Sequence, residues 1–310
     1  MPDDHQSGKG AILIGASGLI GPYVLARCPE MISVGRTPPP ATTPEGVPLG
    51  NRHVQVDDVR DLSALEDVEF DRVVYFIGNT NHRVLEADRL VEGEANAWDF
   101  HVYPLIHTLE QLKHRPIQKV MHFSSILLFD EDRLSIPVGA DTPIKPYKNR
   151  YAMSKYVAEE LCKFYAGWMP IQNCRFSNIY GPTPLVRHDL IPSVCETLVR
   201  DGKAEVWSGA PKRDFIFVED AADAIAKLLY ADTTETVVIG TGRATPVSRV
   251  AEILAEVSGC PVDVLDKPVS GPMHIEADTR LQQIIDWQPR VSIEEGVRRV
   301  WEVMRRRGAS

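Results

Sequence analysis

The sequence predicts an α/β protein: a doubly wound parallel sheet with a smaller C-terminal α/β lobe. Short apolar stretches that fit buried strands alternate with longer segments of helical spacing through the first half of the 310-residue chain. The first of these stretches is followed by glycines at spacings of three. Strands that alternate with helices pair in parallel through right-handed crossovers. Ligands of such sheets bind beyond the carboxyl ends of the strands.

The glycine-rich turn after the first strand predicts a dinucleotide-binding sheet of the Rossmann type. Residues Ala11 to Ile14 are apolar, and Gly15, Gly18 and Gly21 follow them. The first glycine permits a tight turn, the second lets backbone approach a pyrophosphate, and the third lets the next helix pack closely on the strand. The helix N-terminus offers free N–H groups to the anion. A plain strand–helix turn is the alternative. The residues expected to bind the cofactor here are Gly15, Ser17, Gly18, Leu19, Ile20 and Gly21.

Composition and charge argue against several classes of function. The net charge is −9, so no basic surface favours a nucleic-acid partner. The first ten residues are polar and no apolar run approaches 18 residues, so we expect neither secretion nor a membrane span. The five cysteines are scattered without C-x-x-C spacing, which predicts free thiols in a reducing cytoplasm. The nine histidines show no paired-ligand spacing, so we expect no metal site.

The end of the second strand predicts which dinucleotide binds. Residues Met31 to Val34 form this strand, and Gly35-Arg36 follows it. In a doubly wound dinucleotide fold this point meets the adenosine ribose, where an acidic residue binds the 2′-hydroxyl and an arginine suits a 2′-phosphate. Arg36 therefore favours NADP, with NAD possible. A solvated loop arginine is the alternative.

The end of the third strand contributes candidate cofactor contacts. Residues His53 to Val56 form a third strand, and Asp58-Val59 after it would lie beside the adenine. Alternatively, Asp57 and Asp58 cap a helix near Leu62.

A fourth strand runs from Arg72 to Ile77 and is closed by Gly78, where the missing side chain would let backbone near the cofactor. We therefore add Ile77 and Gly78 to the cofactor site. Residues from about Val84 to Leu112 are predicted as one long helical region, and a fifth strand, Lys119 to Phe123, ends in Ser124-Ser125.

The pair Tyr151 and Lys155 supplies acid–base chemistry. The segment Asn149 to Ala166 is predicted to be a helix, so residues four apart share one face. A free tyrosine titrates near pH ~10. A lysine ammonium one turn away favours the phenolate and lowers that pKa. Such a tyrosine can exchange a proton with a substrate oxygen while a hydride moves to or from the cofactor. A surface cation–aromatic pair is the alternative.

These motifs together resemble the extended short-chain dehydrogenase/reductases of the NAD(P)-dependent nucleotide-sugar epimerase/dehydratase group, over nearly the whole chain. The segments that carry the resemblance are Gly15/Gly18/Gly21, Asp58-Val59, Ser124-Ser125, Tyr151/Lys155, Arg175 to Pro182, and Arg213 to Asp220.

The resemblance implies specific roles. Tyr151 would be the acid–base, Lys155 would bind the nicotinamide ribose, and both would contact the cofactor. Ser125 would be the catalytic hydroxyl and would contact the substrate. Asn178 would contact the sugar or diphosphate, and Arg213 would meet the substrate phosphates, to which a fork of donors is suited. An internal ion pair between Arg213 and Asp214 is the alternative. A homodimer is also expected, from the resemblance and from two long apolar-faced helical regions, about Ala97 to Leu112 and Asn149 to Ala166. In this fold such helices commonly pair across a two-fold axis.

The sequence departs from the family pattern at three positions. The dehydratases have an acidic residue directly after the catalytic hydroxyl, and Ile126 occupies that place, which disfavours 4,6-dehydration. His101 aligns with an asparagine that orders a backbone turn near the lysine. Arg36 replaces the acidic residue of the NAD-using epimerases.

We therefore expect residues 1–176 to form the cofactor domain, with the chain returning to it around 214–240, and residues 177–310 to form mainly the substrate-binding lobe. The expected activity is hydride transfer on a nucleotide-linked sugar, at C4, by a 4-ketoreductase or a 4-epimerase. Alternatives are an NADPH-dependent reductase of a non-nucleotide carbonyl compound and a non-catalytic dinucleotide-binding sensor.

The C-terminal part is predicted to contain helices at Leu190 to Arg200, Ala221 to Tyr230, Val247 to Val257 and Val291 to Arg307, and a strand at Thr236 to Ile239.

Overall fold

The computed structural model describes residues 10–79, 96–183, 189–269 and 271–308. In these residues a seven-stranded sheet has the order β10-β6-β5-β4-β1-β2-β3, and every pairing in it is parallel. Its strands are β1 (Ala11–Ile14), β2 (Ile32–Gly35), β3 (His53–Gln55), β4 (Arg72–Tyr75), β5 (Lys119–Ser125), β6 (Ile171–Phe176) and β10 (Val237–Ile239). The order reverses direction at β1, as in a doubly wound sheet, and confirms the predicted fold class.

The central strands are buried because helices cover both faces of the sheet. All residues of β1 and β5 are buried, so these strands are apolar or internally paired rather than alternating. Side chains of β1 divide between two apolar clusters: Leu13 faces one, and Ile12 and Ile14 face the other. The two clusters hold the sheet between its helical layers.

The helices have the following bounds: α1 (Gly21–Arg27), α2 (Ala97–His101), α3 (Tyr103–Leu112), α4 (Arg150–Tyr165), α5 (Leu190–Asp201), α6 (Val218–Tyr230), α7 (Val247–Ser258), α8 (Arg280–Ile284) and α9 (Ile293–Gly308). The helices predicted around residues 150–165, 190–201, 247–258 and 293–308 are therefore confirmed to within two residues. The prediction around 221–230 is confirmed too, although α6 begins three residues earlier.

The single long helix predicted from Val84 to Leu112 is wrong over its described part. Residues 80–95 lie outside the described chain, and the rest divides into α2 and α3 at Val102. Asn96 begins α2 with a capping box, in which its side chain accepts a hydrogen bond from Trp98 N at 3.1 Å. Pro104 lies in the first turn of α3. Proline has no N–H to continue a helix from the preceding turn, so the chain starts a new helix there.

A smaller sheet forms the second lobe. It has the order β11-β9-β7, with β7 (Asn178–Tyr180) parallel and β11 (Ala244–Pro246) antiparallel to β9 (Lys212–Phe217). A separate pair joins β8 (Ala204–Val206) to β12 (Val262–Val264). Strand β7 follows β6 after one residue, so the lobe starts directly at the carboxyl end of the main sheet.

Candidate functional site

A cavity of about 780 Å³ lies where β1, β4, β5 and β6 end and β7 begins. Its volume is in the range of about 300–1,000 Å³ that is usual for small-molecule sites. The predicted site residues that line it are Gly15, Gly18, Leu19, Ile20, Gly21, Ile77, Gly78, Ser125, Tyr151, Lys155 and Asn178. The structure therefore brings together most of the candidates from segments that are far apart in the chain.

The three glycines of the first turn each have a different geometry. Gly15 has a φ of +89°, and a Cβ atom there would lie 3.0 Å from the backbone nitrogen of Ile77. A Cβ atom on Gly21 would overlap the backbone oxygen of Ala16, so the start of α1 lies too close to the turn after β1 for any side chain. A Cβ atom on Gly18 would meet no protein atom within 4 Å. Gly18 therefore faces open space, where a ligand could approach its backbone.

Ser125 lies at the end of β5, beside β6. The register pairs it with Phe176, and Phe176 stacks on Phe123 with ring centroids 4.8 Å apart. The Ser125 hydroxyl accepts a hydrogen bond from the backbone nitrogen of Leu127 at 3.1 Å, which caps a 3₁₀ turn over Ile126–Leu128. This turn fixes the hydroxyl at the cavity and buries Ile126 where the dehydratases have an acid.

Tyr151 and Lys155 lie on one face of α4, which begins after Asn149 caps the backbone nitrogen of Ala152 at 2.8 Å. Both side chains are buried. The Lys155 Nζ atom donates a hydrogen bond to the backbone oxygen of Phe123 at 2.9 Å, which ties α4 to β5. Burial lowers the pKa of Lys155 to about 8, although the neighbouring Glu159 opposes this shift. The pKa of the Lys155 ammonium therefore lies close to neutral pH.

His101 makes several contacts around the turn that follows β4. Its Nε2 atom lies 3.0 Å from the backbone oxygen of Asn79 and 3.2 Å from the backbone nitrogen of the same residue. Its Nδ1 atom lies 2.8 Å from the Ser154 hydroxyl, and its ring meets the Tyr151 ring edge-on at 5.5 Å. Burial and the nearby Lys155 hold the pKa of His101 well below its usual range, so the imidazole is neutral. His101 thus links the turn after β4 to α4.

Two buried polar atoms that line the cavity have no hydrogen-bond partner within the described residues: Ser177 Oγ and Asn178 Oδ1. A buried polar atom without a partner costs about 1–3 kcal/mol, so these atoms are suited to a ligand with hydroxyl, amide or phosphate groups. Together with the open space at Gly18, they fit a dinucleotide and a polar substrate. Sequence analysis missed Ser177, because a lone serine after an unrecognised strand carries no signal.

Arg213 lies outside the lining of the cavity. It shares a face of β9 with Phe215, which does line the cavity. Its guanidinium donates to the backbone oxygen of Lys212 at 3.2 Å, and burial lowers its pKa.

The alternative, an ion pair between Arg213 and Asp214, is wrong. The Asp214 carboxylate points to the other face of β9 and accepts hydrogen bonds from the backbone nitrogens of Thr241, Gly242 and Ala277 at 2.8–3.0 Å. It is therefore a structural anchor for two loops.

Ser17, Arg36, Asp58 and Val59 are likewise not part of the cavity lining. Arg36 is exposed directly after β2. Asp58 accepts hydrogen bonds from the backbone and side chain of Arg60 at 2.9 and 2.7 Å, and the Arg60 hydrogen bond holds the pKa of Asp58 below its usual range. The capping alternative is wrong, because Leu62 is the N-cap of the short 3₁₀ helix Ser63–Leu65 and no side chain caps it; Asp61 accepts a hydrogen bond from the backbone nitrogen of Ser63 at 2.9 Å.

The described residues contain neither a candidate metal cluster nor a candidate membrane-spanning helix. No group of three or more histidine, cysteine, aspartate or glutamate residues among them is arranged to hold a metal ion. Of the helices in the part of the chain that the structure describes, none has the length and apolar character needed to cross a membrane.

Comparison with known proteins places the chain in a family. The family model described as "NAD dependent epimerase/dehydratase family" matches residues 11–240. A protein of Methanocaldococcus jannaschii that carries the name "Putative UDP-glucose 4-epimerase" is 28% identical over 250 residues, which cover 78% of this chain and 81% of that protein.

Among solved structures, a UDP-glucose-4-epimerase from Stenotrophomonas maltophila with bound NAD and formylated UDP-arabinopyranose aligns with a TM-score of 0.83 at 18% identity, over 97% of this chain and 99% of that one. The structure of RMD from Pseudomonas aeruginosa complexed with NADPH aligns with a TM-score of 0.77 at 20% identity, over 96% and 99% of the two chains. These likenesses concern the fold. Because the family model spans most of the sequence, the chain belongs to the NAD dependent epimerase/dehydratase family, the extended short-chain dehydrogenase/reductases that its motifs resemble.

Proposed function

We propose that this protein is an NAD(P)-dependent enzyme that transfers a hydride at C4 of a nucleotide-linked sugar, as a 4-ketoreductase or a 4-epimerase. The observation that carries the proposal is the convergence of Ser125, Tyr151 and Lys155 on the cavity that the glycine turn also lines. Two kinds of relative support the substrate class. The curated relatives include proteins named UDP-glucose 4-epimerase and GDP-L-fucose synthase, and a solved neighbour holds a UDP-sugar.

Different side chains of the cavity have different roles in such a reaction. A bound nicotinamide accepts or supplies the hydride. The Ser125 hydroxyl holds the substrate oxygen, and Tyr151 gives or takes the proton on that oxygen. Lys155 lowers the pKa of the Tyr151 phenol through its charge and can hydrogen-bond a ribose hydroxyl. Ile126 carries no proton, so the position directly after Ser125 cannot assist loss of a sugar hydroxyl, and simple transfer at C4 is favoured over dehydration.

The substrate phosphates would lie toward the second lobe. Asn178 supplies an unpaired side-chain oxygen at the cavity edge, and Phe215 shares that edge. Arg213 is two residues from Phe215 on the same face of β9. We infer that Arg213 binds the diphosphate outside the cavity lining. We also infer that residues 177–310 act mainly as the substrate lobe.

We infer that NADP is preferred over NAD. Arg36 is exposed where the adenosine ribose should lie, and no hydrogen bond or ion pair within the described residues engages its guanidinium. Asp58 and Val59 would then border the adenine. Paired charge-assisted bonds to the 2′-phosphate are worth about 1–3 kcal/mol, or roughly 5- to 150-fold in affinity.

Titration of NADP and NAD into the wild type and the Arg36→Asp variant at one salt concentration tests this preference. We expect the substitution to reverse it, and Arg52→Asp, the same change at an exposed arginine before β3, to leave it intact. Equal affinity of the wild type for both cofactors would assign Arg36 to the solvated loop instead.

We also infer a homodimer formed through α3 and α4. Large aromatic side chains are exposed near the ends of these helices: Tyr103 at 49%, Phe164 at 63% and Trp168 at 54%. Apolar surface of this kind is typical of a protein interface. Sedimentation should give twice the mass of the 34.6 kDa chain, and the double change Phe164→Ser and Trp168→Ser should give monomer. Met273→Ser, at an exposed residue of the other lobe, is the matched control. A wild type that sediments as a monomer at micromolar concentration would contradict the proposal.

The free thiols support a reducing compartment, and we infer a cytoplasmic location. All five cysteines are unpaired: Cys28, Cys162, Cys174, Cys195 and Cys260. Burial raises the pKa of Cys162, Cys174 and Cys195, so these thiols are protected from reaction.

The activity is tested in two steps. Mass spectrometry of the protein as purified shows whether it retains a dinucleotide, which an epimerase needs and a reductase releases. Incubation with UDP- and GDP-sugars, and with their 4-keto forms plus NADPH, then identifies the reaction. Turnover only of carbonyl compounds without a nucleotide would replace the proposal with that reductase activity. A bound dinucleotide without turnover of any substrate would favour a sensor.

A further inference from the structure

A buried ion pair lies directly behind Lys155. The Arg175 guanidinium donates hydrogen bonds to both oxygens of the Glu159 carboxylate, with Nε–Oε1 and Nη2–Oε2 distances of 3.0 and 2.9 Å. Both side chains are almost fully buried, with 7% and 2% of their surfaces exposed. Arg175 also donates to the backbone oxygen of Ala140 at 3.0 Å and lies over the ring of Phe129. Glu159 is thus held in one position between α4 and β6.

Stability alone does not account for such a pair. A buried ion pair contributes little net stability, since desolvation of the two charges offsets their attraction, and apolar residues of similar volume often do as well. Glu159 lies one helical turn after Lys155 on α4, so the two side chains face the same side. Its carboxylate remains ionised: burial opposes this, but the hydrogen bonds from Arg175 hold the pKa of Glu159 below its usual range.

We propose that Glu159 is a positioning residue that acts through Lys155, holding the lysine as an ammonium so that Tyr151 is activated. The inference rests on the proposed roles of Tyr151 and Lys155. Arg175 holds the Glu159 carboxylate about one helical turn from Lys155. At this distance the carboxylate attracts the Lys155 ammonium without forming a direct ion pair with it. Lys155 therefore keeps its hydrogens for the Phe123 oxygen and for a ligand on the cavity side.

The other titratable groups around Lys155 cannot supply this charge. His101 from α2 and His122 from β5 are neutral near pH 7, because burial and Lys155 itself lower both pKa values, that of His122 to about 4. Cys162, on the next turn of α4, is a thiol whose pKa burial raises. Cys174 on β6 is also a buried thiol with a raised pKa. Glu159 is therefore the one ionised acid beside Lys155 in the part of the chain that the structure describes.

Nuclear magnetic resonance of selectively labelled lysine Cε atoms tests the inference in the ligand-free protein. The Lys155 signal is assigned with Lys155→Met, and its pKa is compared between the wild type and Glu159→Gln. For charges about 6 Å apart in a medium of effective dielectric constant about 20, loss of the carboxylate should lower the lysine pKa by about one to two pH units. Glu160→Gln is the matched control, since Glu160 is exposed and pairs with Lys163 at 2.7 Å.

A double variant separates this role from a structural one. Glu159→Leu with Arg175→Met removes both charges and restores an apolar interior. The lysine pKa should then fall less than in Glu159→Gln, where the arginine charge stays and repels the ammonium. Once a substrate is known, the high-pH limb of turnover should move to lower pH in the same order. A Lys155 pKa that is unchanged in the folded single and double variants would overturn the inference, whichever sugar the enzyme accepts.

Discussion

Replacement of Gly18 by alanine should weaken dinucleotide binding and leave the fold intact. A Cβ atom at this position meets no protein atom within 4 Å, so alanine adds no strain to the chain itself. The new methyl group would instead occupy space from which the backbone can approach a pyrophosphate. Loss of this close approach should lower affinity at least tenfold, which corresponds to about 1.4 kcal/mol.

Gly21→Ala provides the contrast, because there the Cβ atom would overlap the backbone oxygen of Ala16. The oxygen belongs to the main chain and cannot rotate away, so the start of α1 must shift from the turn that follows β1. We expect a loss of about 3 kcal/mol in the free energy of unfolding, at the upper end of the usual cost of overpacking. For a chain of this length that loss lowers Tm by about 5 °C.

The assay combines thermal unfolding without ligand and calorimetric titration with NAD and NADP. The expected pattern is an unchanged Tm with weaker binding for Gly18→Ala, and a lower Tm for Gly21→Ala. Gly18→Ala protein that binds both dinucleotides as tightly as wild type would refute the position assigned to the pyrophosphate. A lower Tm for Gly18→Ala would refute the geometry of the turn.

Three further changes test other parts of the site. Tyr151→Phe should lower turnover by about 10²–10⁴-fold with cofactor affinity kept, because only the proton-carrying hydroxyl is lost; turnover within twofold of wild type would remove Tyr151 from the chemistry. Arg213→Ala should raise KM for the nucleotide sugar about tenfold with little loss of kcat, since a diphosphate contact acts equally on the ground and transition states; a loss confined to kcat would put Arg213 at the reacting carbon instead. Burial lowers the pKa of His122 to about 4, so the folded state binds fewer protons than the unfolded state between about pH 4 and 6.5, and the free energy of unfolding falls as pH falls through that window. His122→Gln should remove about 3 kcal/mol of that decline in urea titrations from pH 7.5 to pH 4, and an unchanged slope would contradict the neutral buried imidazole.

The parts of the site that sequence reasoning located are those in which one local geometry needs particular residues at particular spacings. The glycine turn is such a case, since the close approach of α1 to the backbone of the turn leaves no room for a Cβ atom at Gly21. The pair Tyr151 and Lys155 is another, because spacing of four on a helix places two side chains on one face. Both patterns are contained within a few residues and need no knowledge of the rest of the fold.

Strand β6 was missed because it is polar at several buried positions. Gln172, Asn173 and Arg175 are buried, and each has a hydrogen-bond partner from elsewhere: the Glu235 backbone oxygen, the His122 ring and the Glu159 carboxylate, respectively. A hydrophobic pattern cannot reveal a strand whose interior residues depend on distant partners. The same limit applies to Arg213, whose place depends on which face of β9 turns toward the cavity, and to Ser177, whose importance follows only from the burial of its hydroxyl.

The pairing of Ser125 with Phe176 across β5 and β6 has a consequence for how the protein is assembled. Cavity residues come from positions as far apart as Gly15 and Phe215, and no single supersecondary unit contains more than part of the site. Loop closure over such separations must precede the first productive contact with a ligand. Fragments that end before β6 should therefore not bind a dinucleotide. When a dinucleotide is added during refolding, its binding should show when the complete sheet has formed. Once that state is reached, ligand in excess holds it by mass action, so saturating cofactor should protect the whole chain against proteolysis.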